Sequence, residues 1–574
     1  MNDQDMLTTE TVRNILPENL EIKGWGDLVG YFDELKKRSI NSEEELEQWI
    51  RDLSELESFL SEETAWRYIK MNIDTTDKAL EEAFNFLVTE IDPKAAPYSD
   101  MFNRKLVENE WTTALDADKY YTYLRSVQNQ IRIFRDENIP LMTELQQLQQ
   151  KYGIITGGMF IELNGQKLTM QEGSKMMKDS DRAVRENVYR LLQATRGTAV
   201  EELNDLFTKL ISLRNRVGRN AGFANFRDYK FAALDRFDYS VSDCLQFHQA
   251  IKEVVTPLLD KMDLERKQKL GYDKLRPWDL EVDADGLDTL IPFKDEDDLI
   301  NSTIECFGKL RPYYGECLKT MREMGHLDLG SRMGKAPGGF NYPLYETGVP
   351  FIFMNSVGTV RDLVTMIHEG GHAVHSFLSK DLEICAFKQL PSEVAELASM
   401  SMELLTFDHW NVFFKNEADE KRAKKEHLSK VISVLPWVAT IDAFQHWLYE
   451  RPNHTLEERN ENWLRISREL GGSLIDRSGL EEEEINLWQK QLHLFEVPFY
   501  YVEYGIAQLG AIAMWKQYRE NPQTALDNFD KALSMGYTRP IGEIYATAGI
   551  EFNFSGQYIK ELIDFVWQEY KTLG

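Results

Sequence analysis

The stretch His368-Glu369-Gly370-Gly371-His372 constrains the fold more than any other part of the chain, because it places two histidines four positions apart. Residues i and i+4 lie on one face of an α-helix, about 5–6 Å apart, so both imidazoles reach one metal ion if this segment is helical. Zinc takes histidine nitrogens at about 2.0–2.1 Å. The pattern H-E-x-x-H therefore predicts a helix that holds Zn²⁺, with Glu369 beside the ion as a general base.

The residues around the motif also favour a helix. Thr359 and Asp362 match the helix-start pattern in which each side chain caps the backbone of the other. Residues 360–378 contain no proline, and apolar residues recur there at helical spacing. Gly370 and Gly371 each cost a helix about 1 kcal/mol relative to alanine. We therefore expect another segment or a bound substrate to approach this helix closely.

A short apolar run, residues 350–354, precedes the predicted helix and predicts a buried strand. We expect this strand to line a cleft, where an edge strand pairs with an extended peptide through main-chain hydrogen bonds. The loop before it contains Gly338 and Gly339 but lacks the Lys-Ser/Thr ending of a phosphate-binding loop. Nucleotide binding is therefore not predicted.

A second predicted helix, which begins near Ser392, offers a third metal ligand. Glu396, Ser399 and Glu403 stand at i, i+3 and i+7 and so share one helix face. We interpret Glu396 as the ligand and Glu403 as the partner that orients a ligand imidazole. Glu393 lies near the same face and is the rival ligand. Three protein ligands leave one position open for water, which is typical of a catalytic zinc site.

Together, His368-Glu369-Gly370-Gly371-His372 and the pattern E-x-x-S-x-x-x-E from Glu396 to Glu403 resemble the M3 family of metallopeptidases, and its oligoendopeptidase F branch in particular. The resemblance implies that His368, His372 and Glu396 bind one zinc ion and that Glu369 is the base. It also implies cleavage of short peptides inside a deep channel between two helical halves. The segments Arg276–Leu280 and Leu213–Tyr229 are similar to further stretches of the family.

The segment His493–Gly505 concentrates one histidine and three tyrosines, namely His493, Tyr500, Tyr501 and Tyr504. Amide hydrolysis passes through an oxyanion, and one hydrogen-bond donor aimed at it contributes about 2.7–4 kcal/mol. The resemblance implies that Tyr501, Tyr504 and His493 stabilise the oxyanion and substrate.

It further implies that Tyr500, Gly338 and Gly339 contact substrate. Aromatic packing is the alternative interpretation for each tyrosine. His375 follows His372 on the same helix face, where it either touches substrate or packs.

The chain is predicted to be mainly α, with a small β element beside the H-E-x-x-H helix. The clearest helices are predicted near residues 60–90, 120–150, 200–220, 360–380, 393–405 and 505–518. Strands are predicted at 159–169, with a hairpin turn at Asn164-Gly165, at 350–354 and at 384–389. We expect an N-terminal helical domain with a small hairpin segment over 1–200 and a zinc peptidase catalytic domain over 201–574.

Composition narrows the function classes further. The formal charge of −29 argues against a nucleic-acid partner, which needs a basic surface. No apolar run approaches the roughly 18 residues that would cross a membrane, and the N-terminus lacks the pattern of a secretion signal. Four scattered cysteines imply no disulfide framework. These features favour a cytoplasmic enzyme. The histidines His248, His326, His409 and His446 show no metal-ligand spacing and are interpreted as surface or core residues.

Two alternatives remain open from the sequence. The same core serves a peptidyl-dipeptidase or carboxypeptidase if a basic pocket binds a terminal carboxylate, for which Arg332 and Lys335 are candidates. A peptide-binding helical protein without catalysis is the other alternative, although such a protein needs no base at Glu369. The oligomeric state and the choice of Zn²⁺ over Mn²⁺ or Co²⁺ are also open.

Overall fold

The computed structural model describes residue 7 and residues 13–574, and in this part of the chain it is mainly helical with a few short strands, as the sequence predicts. Among the described residues, no helix is both long and apolar enough to cross a membrane. The helices of the N-terminal part are α1 (Val29–Lys37), α2 (Glu43–Ile73), α3 (Lys78–Phe86), α4 (Asp92–Glu108), α5 (Ala117–Ile133), α6 (Ile139–Gly157), α7 (Met170–Lys175), α8 (Arg182–Gly197) and α9 (Val200–Asn220).

The remaining helices follow in two groups. Before the second predicted metal-ligand helix the chain forms α10 (Phe226–Ala233), α11 (Val241–Val254), α12 (Thr256–Leu270), α13 (Glu296–Leu310), α14 (Pro312–Glu323), α15 (Val360–Ser379) and α16 (Cys385–Lys388). After it come α17 (Ser392–Leu405), α18 (Glu417–Glu450), α19 (Leu456–Leu470), α20 (Glu481–Ile485), α21 (Leu492–Glu496), α22 (Tyr501–Glu520), α23 (Pro522–Leu533), α24 (Ile541–Thr547) and α25 (Gly556–Thr572).

Two of the predicted long helices are interrupted in the structure. The helix expected over residues 60–90 ends at Ile73 and restarts at Lys78, because the Asp77 side chain accepts the backbone N–H of Ala79 at 2.8 Å and caps a new helix. The helix expected over residues 120–150 breaks before α6, whose first turn contains Pro140. Proline lacks an N–H and therefore suits a helix start rather than a helix interior.

The strands form two small sheets. Strands β1 (Phe160–Leu163) and β2 (Gln166–Thr169) make the predicted hairpin, and Asn164 and Gly165 have φ of 53° and 79°, as a tight two-residue turn requires. Strands β3 (Leu327–Gly330), β4 (Phe340–Tyr342) and β5 (Phe351–Ser356) form the second sheet in the order β3-β5-β4.

The predicted strand before the H-E-x-x-H helix is therefore confirmed as β5, but it is the central strand of its sheet. It runs parallel to β3 and antiparallel to β4, so both of its edges are already paired. The expectation of an edge strand at this position is wrong. The outer strands of this sheet are β3 and β4, and β4 follows Gly338 and Gly339.

The strand predicted at residues 384–389 is also wrong, because this segment contains the short helix α16. Its apolar residues Ile384 and Phe387 are buried in the core of the N-terminal helices. The N–H of Cys385 donates to Ser54 Oγ at 2.6 Å, which ties the segment to α2. An apolar run of this length fits a buried helical turn as well as a strand, so periodicity alone does not separate the two.

Three helices that pack side by side hold the predicted site. Helix α17 packs against α15 on one side and against α22 on the other. A Cβ on Gly371 would lie 2.6 Å from Ser399 Cα, and a Cβ on Gly370 would lie 2.8 Å from the Phe307 ring. The predicted close approach is thus made by α17 and α13. The division into residues 1–200 and 201–574 stays a prediction.

Candidate active site

Helices α15 and α17 bring the three predicted metal ligands together. The Nε2 atoms of His368 and His372 lie 3.2 and 3.6 Å from the same carboxylate oxygen, Oε2 of Glu396. One ligand atom from each residue lies within 4.8 Å of the others. Helix α15 starts with the predicted mutual capping of Thr359 and Asp362. This fixed start determines which face of the helix carries His368 and His372.

The donor atoms of this cluster fit a divalent cation. Nδ1 of His368 donates to Oε1 of Glu403 at 2.7 Å, and the other oxygen of Glu403 lies 3.1 Å from Nε2 of His427. A neutral His368 with its proton on Nδ1 directs the lone pair of Nε2 towards Glu396. Two lone pairs at 3.2 Å repel each other unless a positive charge lies between them. The cluster therefore favours a positive charge between these atoms, carried by a proton or by a metal ion.

The protonation equilibria lead to the same conclusion. Burial lowers the pKa of His368, but hydrogen bonds to Glu396 and Glu403 outweigh it and raise that pKa well above its ordinary value. Although burial alone would raise the pKa of Glu396, the two imidazoles hold it at about 2. Burial lowers the pKa of His372 to about 4. The site thus combines a neutral imidazole and a carboxylate with a position where positive charge is favoured.

Hydrogen bonds leave one oxygen of Glu396 directed at the two histidines. Tyr500 Oη donates to Oε1 at 2.7 Å, and Ser399 Oγ lies 3.2 Å from Oε2 and 3.0 Å from the carbonyl oxygen of Glu396. The rival residue Glu393 points elsewhere, because it accepts a hydrogen bond from Tyr239 Oη at 2.5 Å. The geometry therefore favours Glu396 over Glu393 as the third ligand.

Glu369 lines a cavity of about 300 Å³ together with His368, His372 and Glu396. Burial raises the pKa of Glu369 to about 7, which suits a residue that must gain and lose a proton near neutral pH. Gly339 lies against this carboxylate, since a Cβ there would sit 3.6 Å from Oε1. A side chain at this position would narrow the space beside the base.

The strand β4 forms one wall of the cavity. Gly339, Phe340 and Asn341 line it, and Nδ2 of Asn341 donates to the backbone carbonyl of Glu369 at 3.5 Å. Gly338 lies one residue further out with φ of 105°, a conformation that glycine adopts without strain. Of the two glycines predicted to contact substrate, Gly339 thus lines the cavity directly.

The turn before α22 directs Tyr500 into the cavity. Phe499 has φ of 66°, which costs a residue with a side chain about 1–2 kcal/mol. Its N–H donates to Oε1 of Gln445 at 2.6 Å, and its carbonyl accepts a hydrogen bond from Arg236. These two bonds hold the strained turn, which places the Tyr500 hydroxyl on Glu396.

A chain of hydrogen bonds leads from a tryptophan to the cavity. The indole N–H of Trp437 lies 3.0 Å from Oε1 of Gln491, and Nε2 of Gln491 lies 2.7 Å from Nδ1 of His493. Nε2 of His493 lies 3.1 Å from the Tyr504 hydroxyl oxygen.

The direction of this chain follows from the indole, which donates hydrogen bonds but accepts none. The Gln491 oxygen must therefore accept, and its amino group donates to Nδ1 of His493. Burial lowers the pKa of His493 to about 4, so the ring is neutral near pH 7 and carries its one proton on Nε2. It donates that proton to the Tyr504 oxygen, which leaves the Tyr504 hydroxyl hydrogen for the cavity.

The remaining predicted residues lie at or near this cavity. Tyr504 lines it, whereas Tyr501 is absent from its wall and stacks edge-on against His493 and Tyr504 at ring distances of 4.9 and 5.2 Å. His375 is fully buried, lines the inner wall, and has its pKa lowered to about 3 by burial.

Sequence reasoning missed several residues that hold this site, among them Trp437, Gln491 and Phe499. Gln491 stands only two positions before His493, but Trp437 comes from α18 and carries no local signal of its role. Arg332 and Lys335, the candidate carboxylate-binding residues, are both paired with Asp328 at 2.7 and 2.6 Å. They are therefore not free for a peptide terminus.

Comparison with known families identifies two matches along the chain. Residues 175–563 match the profile described as Peptidase family M3, and residues 24–134 match the profile described as Peptidase M3 N-terminal domain. The first match covers more than half of the chain and includes every metal-ligand candidate.

Individual relatives are similar at low identity. An oligoendopeptidase F homolog of Lactococcus lactis is 26% identical over 258 residues, which are 44% of this chain and 41% of that protein. The oligopeptidase PepF of Bacillus subtilis is 22% identical over 394 residues, 68% of this chain and 57% of the relative. The aligned part of this chain thus spans between 41% and 57% of the length of these two proteins.

Solved structures share the fold over almost the whole length. PZ peptidase A with inhibitor 2 has a TM-score of 0.92 and 24% identity, over 96% of this chain and 98% of that one. An oligoendopeptidase-F from Enterococcus faecium has a TM-score of 0.65 and 14% identity, over 96% and 97% of the two chains. At these identities the likeness establishes the fold.

Proposed function

This chain belongs to peptidase family M3, and on that premise we propose that it is a zinc-dependent endopeptidase that hydrolyses short oligopeptides. The observation that carries the proposal is the convergence of His368, His372 and Glu396 in one cavity with the carboxylate of Glu369. Three ligands of this kind with an open side are typical of catalytic rather than structural zinc sites.

His368, His372 and Glu396 would hold the ion, with Glu403 fixing the orientation of His368 through its Nδ1 hydrogen bond. When bound there, zinc supplies a Lewis acid that lowers the pKa of a water molecule and polarises the scissile carbonyl. The hydrogen bond from Tyr500 to Oε1 of Glu396 keeps that carboxylate turned so that Oε2, which faces the two histidines, would be the ligand atom.

Glu369 is the proposed general base. Its carboxylate accepts a proton from the attacking water and passes it to the leaving amine, a role for which a pKa near the working pH is favourable. Gly339 puts no side chain against this carboxylate, where a Cβ would lie 3.6 Å from Oε1.

Tyr504 is the proposed donor to the oxyanion. Burial raises its pKa well above the ordinary value, so the hydroxyl stays protonated, and its hydrogen is directed away from His493. His493 and Gln491 position this hydroxyl. Tyr501 supports the ring of His493 by packing, and Tyr500 supports the metal ligand Glu396.

The edge of β4 is the proposed docking site for the peptide backbone. It borders the cavity beside Glu369, and the only strand hydrogen-bonded to it among the described residues is β5. An extended peptide would add to this edge by main-chain hydrogen bonds, which accept many side-chain sequences.

Oligopeptides as substrates are supported by the names of the relatives and by the modest volume of the cavity. A cytoplasmic location is proposed because all four cysteines are free thiols.

Action on peptide ends is less well supported. It needs a cation free to bind a terminal carboxylate, and Arg332 and Lys335 are both engaged by Asp328. A non-catalytic peptide-binding protein would not need a buried carboxylate at Glu369, because peptide binding requires no proton transfer there.

The proposal is tested with internally quenched peptides of graded length, blocked at both ends. We expect cleavage of the short peptides, loss of cleavage with a chelator, and recovery with Zn²⁺. Glu369→Gln keeps the shape of the side chain but cannot accept the proton, so kcat should fall by about 10²–10⁴-fold while zinc content stays the same.

Glu484→Gln is the matched control, because Glu484 is also a buried glutamate but pairs with Arg468 outside the cavity. It should retain wild-type kcat. Cleavage that survives complete removal of metal, or full activity in Glu369→Gln, would contradict the proposal. Cleavage of unblocked peptides alone would favour the exopeptidase alternative.

A further inference from the structure

A second cluster of metal-ligand residues lies between helices α11 and α18, which pack against each other. Helix α11 contributes Cys244 and His248, and helix α18 contributes Asp442 and His446. Each pair has i, i+4 spacing, the same spacing as the two histidines of H-E-x-x-H, so each pair shares one helix face. Sequence reasoning compared these histidines only with one another and placed them at the surface or in the core, and it missed the spacing because their partners are a cysteine and an aspartate.

Three of these side chains converge in the protein interior, and His248 adjoins them through Asp442. Ligand atoms of Cys244, Asp442 and His446 all lie within 4.8 Å of one another. Nε2 of His248 lies 2.8 Å from Oδ2 of Asp442, and Nε2 of His446 lies 3.3 Å from the same oxygen. Their exposed fractions are 2% for Cys244, 8% for His248, 0% for Asp442 and 4% for His446.

Hydrogen bonds within the protein do not satisfy this cluster. Only the contact between His248 and Asp442 is a hydrogen bond with good geometry. Oδ1 of Asp442 and Nδ1 of His446 have no hydrogen-bond partner, and Nε2 of His446 has only its 3.3 Å contact with Asp442. Buried polar atoms nearly always have a partner, because an unsatisfied one costs about 1–3 kcal/mol. Two such atoms and one weakly paired nitrogen in one cluster point to a bonding partner that is not a protein side chain.

The chemistry of the donors indicates which partner this is. Thiolate, imidazole and carboxylate together suit zinc, and a closed set of four protein ligands is typical of a structural site. A divalent ion with one thiolate and one carboxylate has no net charge, which is compatible with a fully buried position.

We propose that Cys244, His248, Asp442 and His446 form a second, structural zinc site. This inference is separate from the proposed catalysis, because none of the four residues lines the cavity that contains Glu369.

The position of this site suggests what it stabilises. Gln445, the neighbour of His446 on α18, accepts the N–H of Phe499 at 2.6 Å, and the ring of His446 lies 5.4 Å from the Phe499 ring. A metal that fixes α18 against α11 would thus support the strained turn that directs Tyr500 into the cavity.

The full-length protein tests the site when the catalytic ligands are removed by His368→Ala combined with His372→Ala. Metal-free protein of this variant is titrated with Co²⁺ and followed by absorption. A cysteine ligand gives a thiolate-to-cobalt charge-transfer band, which the predicted catalytic site cannot give because it contains no cysteine. We expect this band to saturate at about one Co²⁺ per chain.

Cys244→Ser in the same background should abolish the band, and Cys306→Ser, which alters another buried cysteine, should preserve it. Zinc analysis of the wild-type protein should give about two ions per chain, falling to about one in the His368→Ala, His372→Ala variant.

The first result that would overturn the proposal does not require a Cys244 variant to fold. If the His368→Ala, His372→Ala protein is folded by circular dichroism, yet binds no Zn²⁺ and shows no charge-transfer band with Co²⁺, the cluster is a hydrogen-bonded network and not a metal site. A band that survives Cys244→Ser would assign the cobalt to a different cysteine and would equally overturn it. Neither outcome depends on peptidase activity.

Discussion

The metal-ligand cluster at His368 and the cluster at Asp442 use the same local device, a ligand pair at i, i+4, but they differ in access to solvent. The side chains of His368 and His372 are 18% and 17% exposed, whereas that of Asp442 is 0% and that of His446 is 5% exposed. The first cluster has three candidate ligands and borders a cavity. The second has four candidate ligands and is enclosed.

This contrast shows that spacing identifies possible ligands, while the surroundings decide their use. An open position beside a base allows water and a carbonyl to enter, whereas a complete ligand set leaves no place for substrate. We call the cluster of His368, His372 and Glu396 the open cluster and that of Cys244, His248, Asp442 and His446 the enclosed cluster. Changes in the open cluster should affect the reaction more than the stability of the fold, and changes in the enclosed cluster should affect stability more than the reaction.

The largest of the remaining effects is expected at Tyr504, whose hydroxyl faces the open cluster. Tyr504→Phe removes one donor to the oxyanion, so kcat should fall about 10²–10³-fold with little change in KM or unfolding temperature. Tyr501→Phe is the matched control and should have a much smaller effect, because Tyr501 does not line the cavity. Equal losses in the two variants would show that the aromatic cluster acts by packing.

Zinc affinity provides the next test. Glu403→Gln weakens the hydrogen bond that orients His368, and such changes cost about 10–100-fold in metal affinity. Competition with a chelator measures this affinity. Glu393→Gln should leave the zinc affinity unchanged. If instead Glu393→Gln weakened zinc binding and Glu403→Gln did not, Glu393 and not Glu403 would be the residue that supports the metal site.

The enclosed cluster predicts the converse behaviour. Asp442→Asn should destabilise the protein by about 1–3 kcal/mol, because it removes a buried carboxylate that contacts His248 and His446 and that the proposed zinc site needs. Thermal unfolding measures the loss, and peptide cleavage below the unfolding temperature should change far less than in Tyr504→Phe. A variant that is fully stable but inactive would remove the distinction between the two clusters.

The smallest effect is expected from reversing the hydrogen-bond chain to Tyr504. In Gln491→Glu the side chain can only accept, so the His493 proton moves to Nδ1 and Nε2 accepts the Tyr504 hydroxyl hydrogen. We expect kcat to fall about tenfold, or about 1.4 kcal/mol, with KM nearly unchanged.

Gln517→Glu is the control for this exchange. Gln517 also donates a hydrogen bond through its amide, to the carbonyl of Gly549 at 2.7 Å, but it is not part of the hydrogen-bond chain that leads to Tyr504. An unchanged kcat in Gln491→Glu, together with a large loss in Tyr504→Phe, would show that Tyr504 orients itself without the chain.

Much of the site could be predicted from sequence because its parts are local. The helix at 360–379, its cap at Thr359 and the hairpin at Asn164 each depend on residues within a few positions. The strand predicted at 384–389 failed because its apolar residues are buried against the N-terminal helices, a contact across more than 300 positions of chain. The prediction that β5 is an edge strand was wrong because the order of strands in a sheet depends on which other strands pair with it, and the sequence of one strand does not specify this.

The sequence by itself determined the helical character of the chain and the pairing of His368 with His372 beside Glu369, because helical spacing alone puts residues i and i+4 on one face. It left Glu396 and Glu393 as rival candidates for the third ligand. Only the tertiary structure decided that Tyr504 faces the cavity, that Trp437 orients Gln491, and that Cys244 meets Asp442. These contacts join helices far apart in sequence, and packing of the whole core, rather than any local pattern, fixes which faces meet.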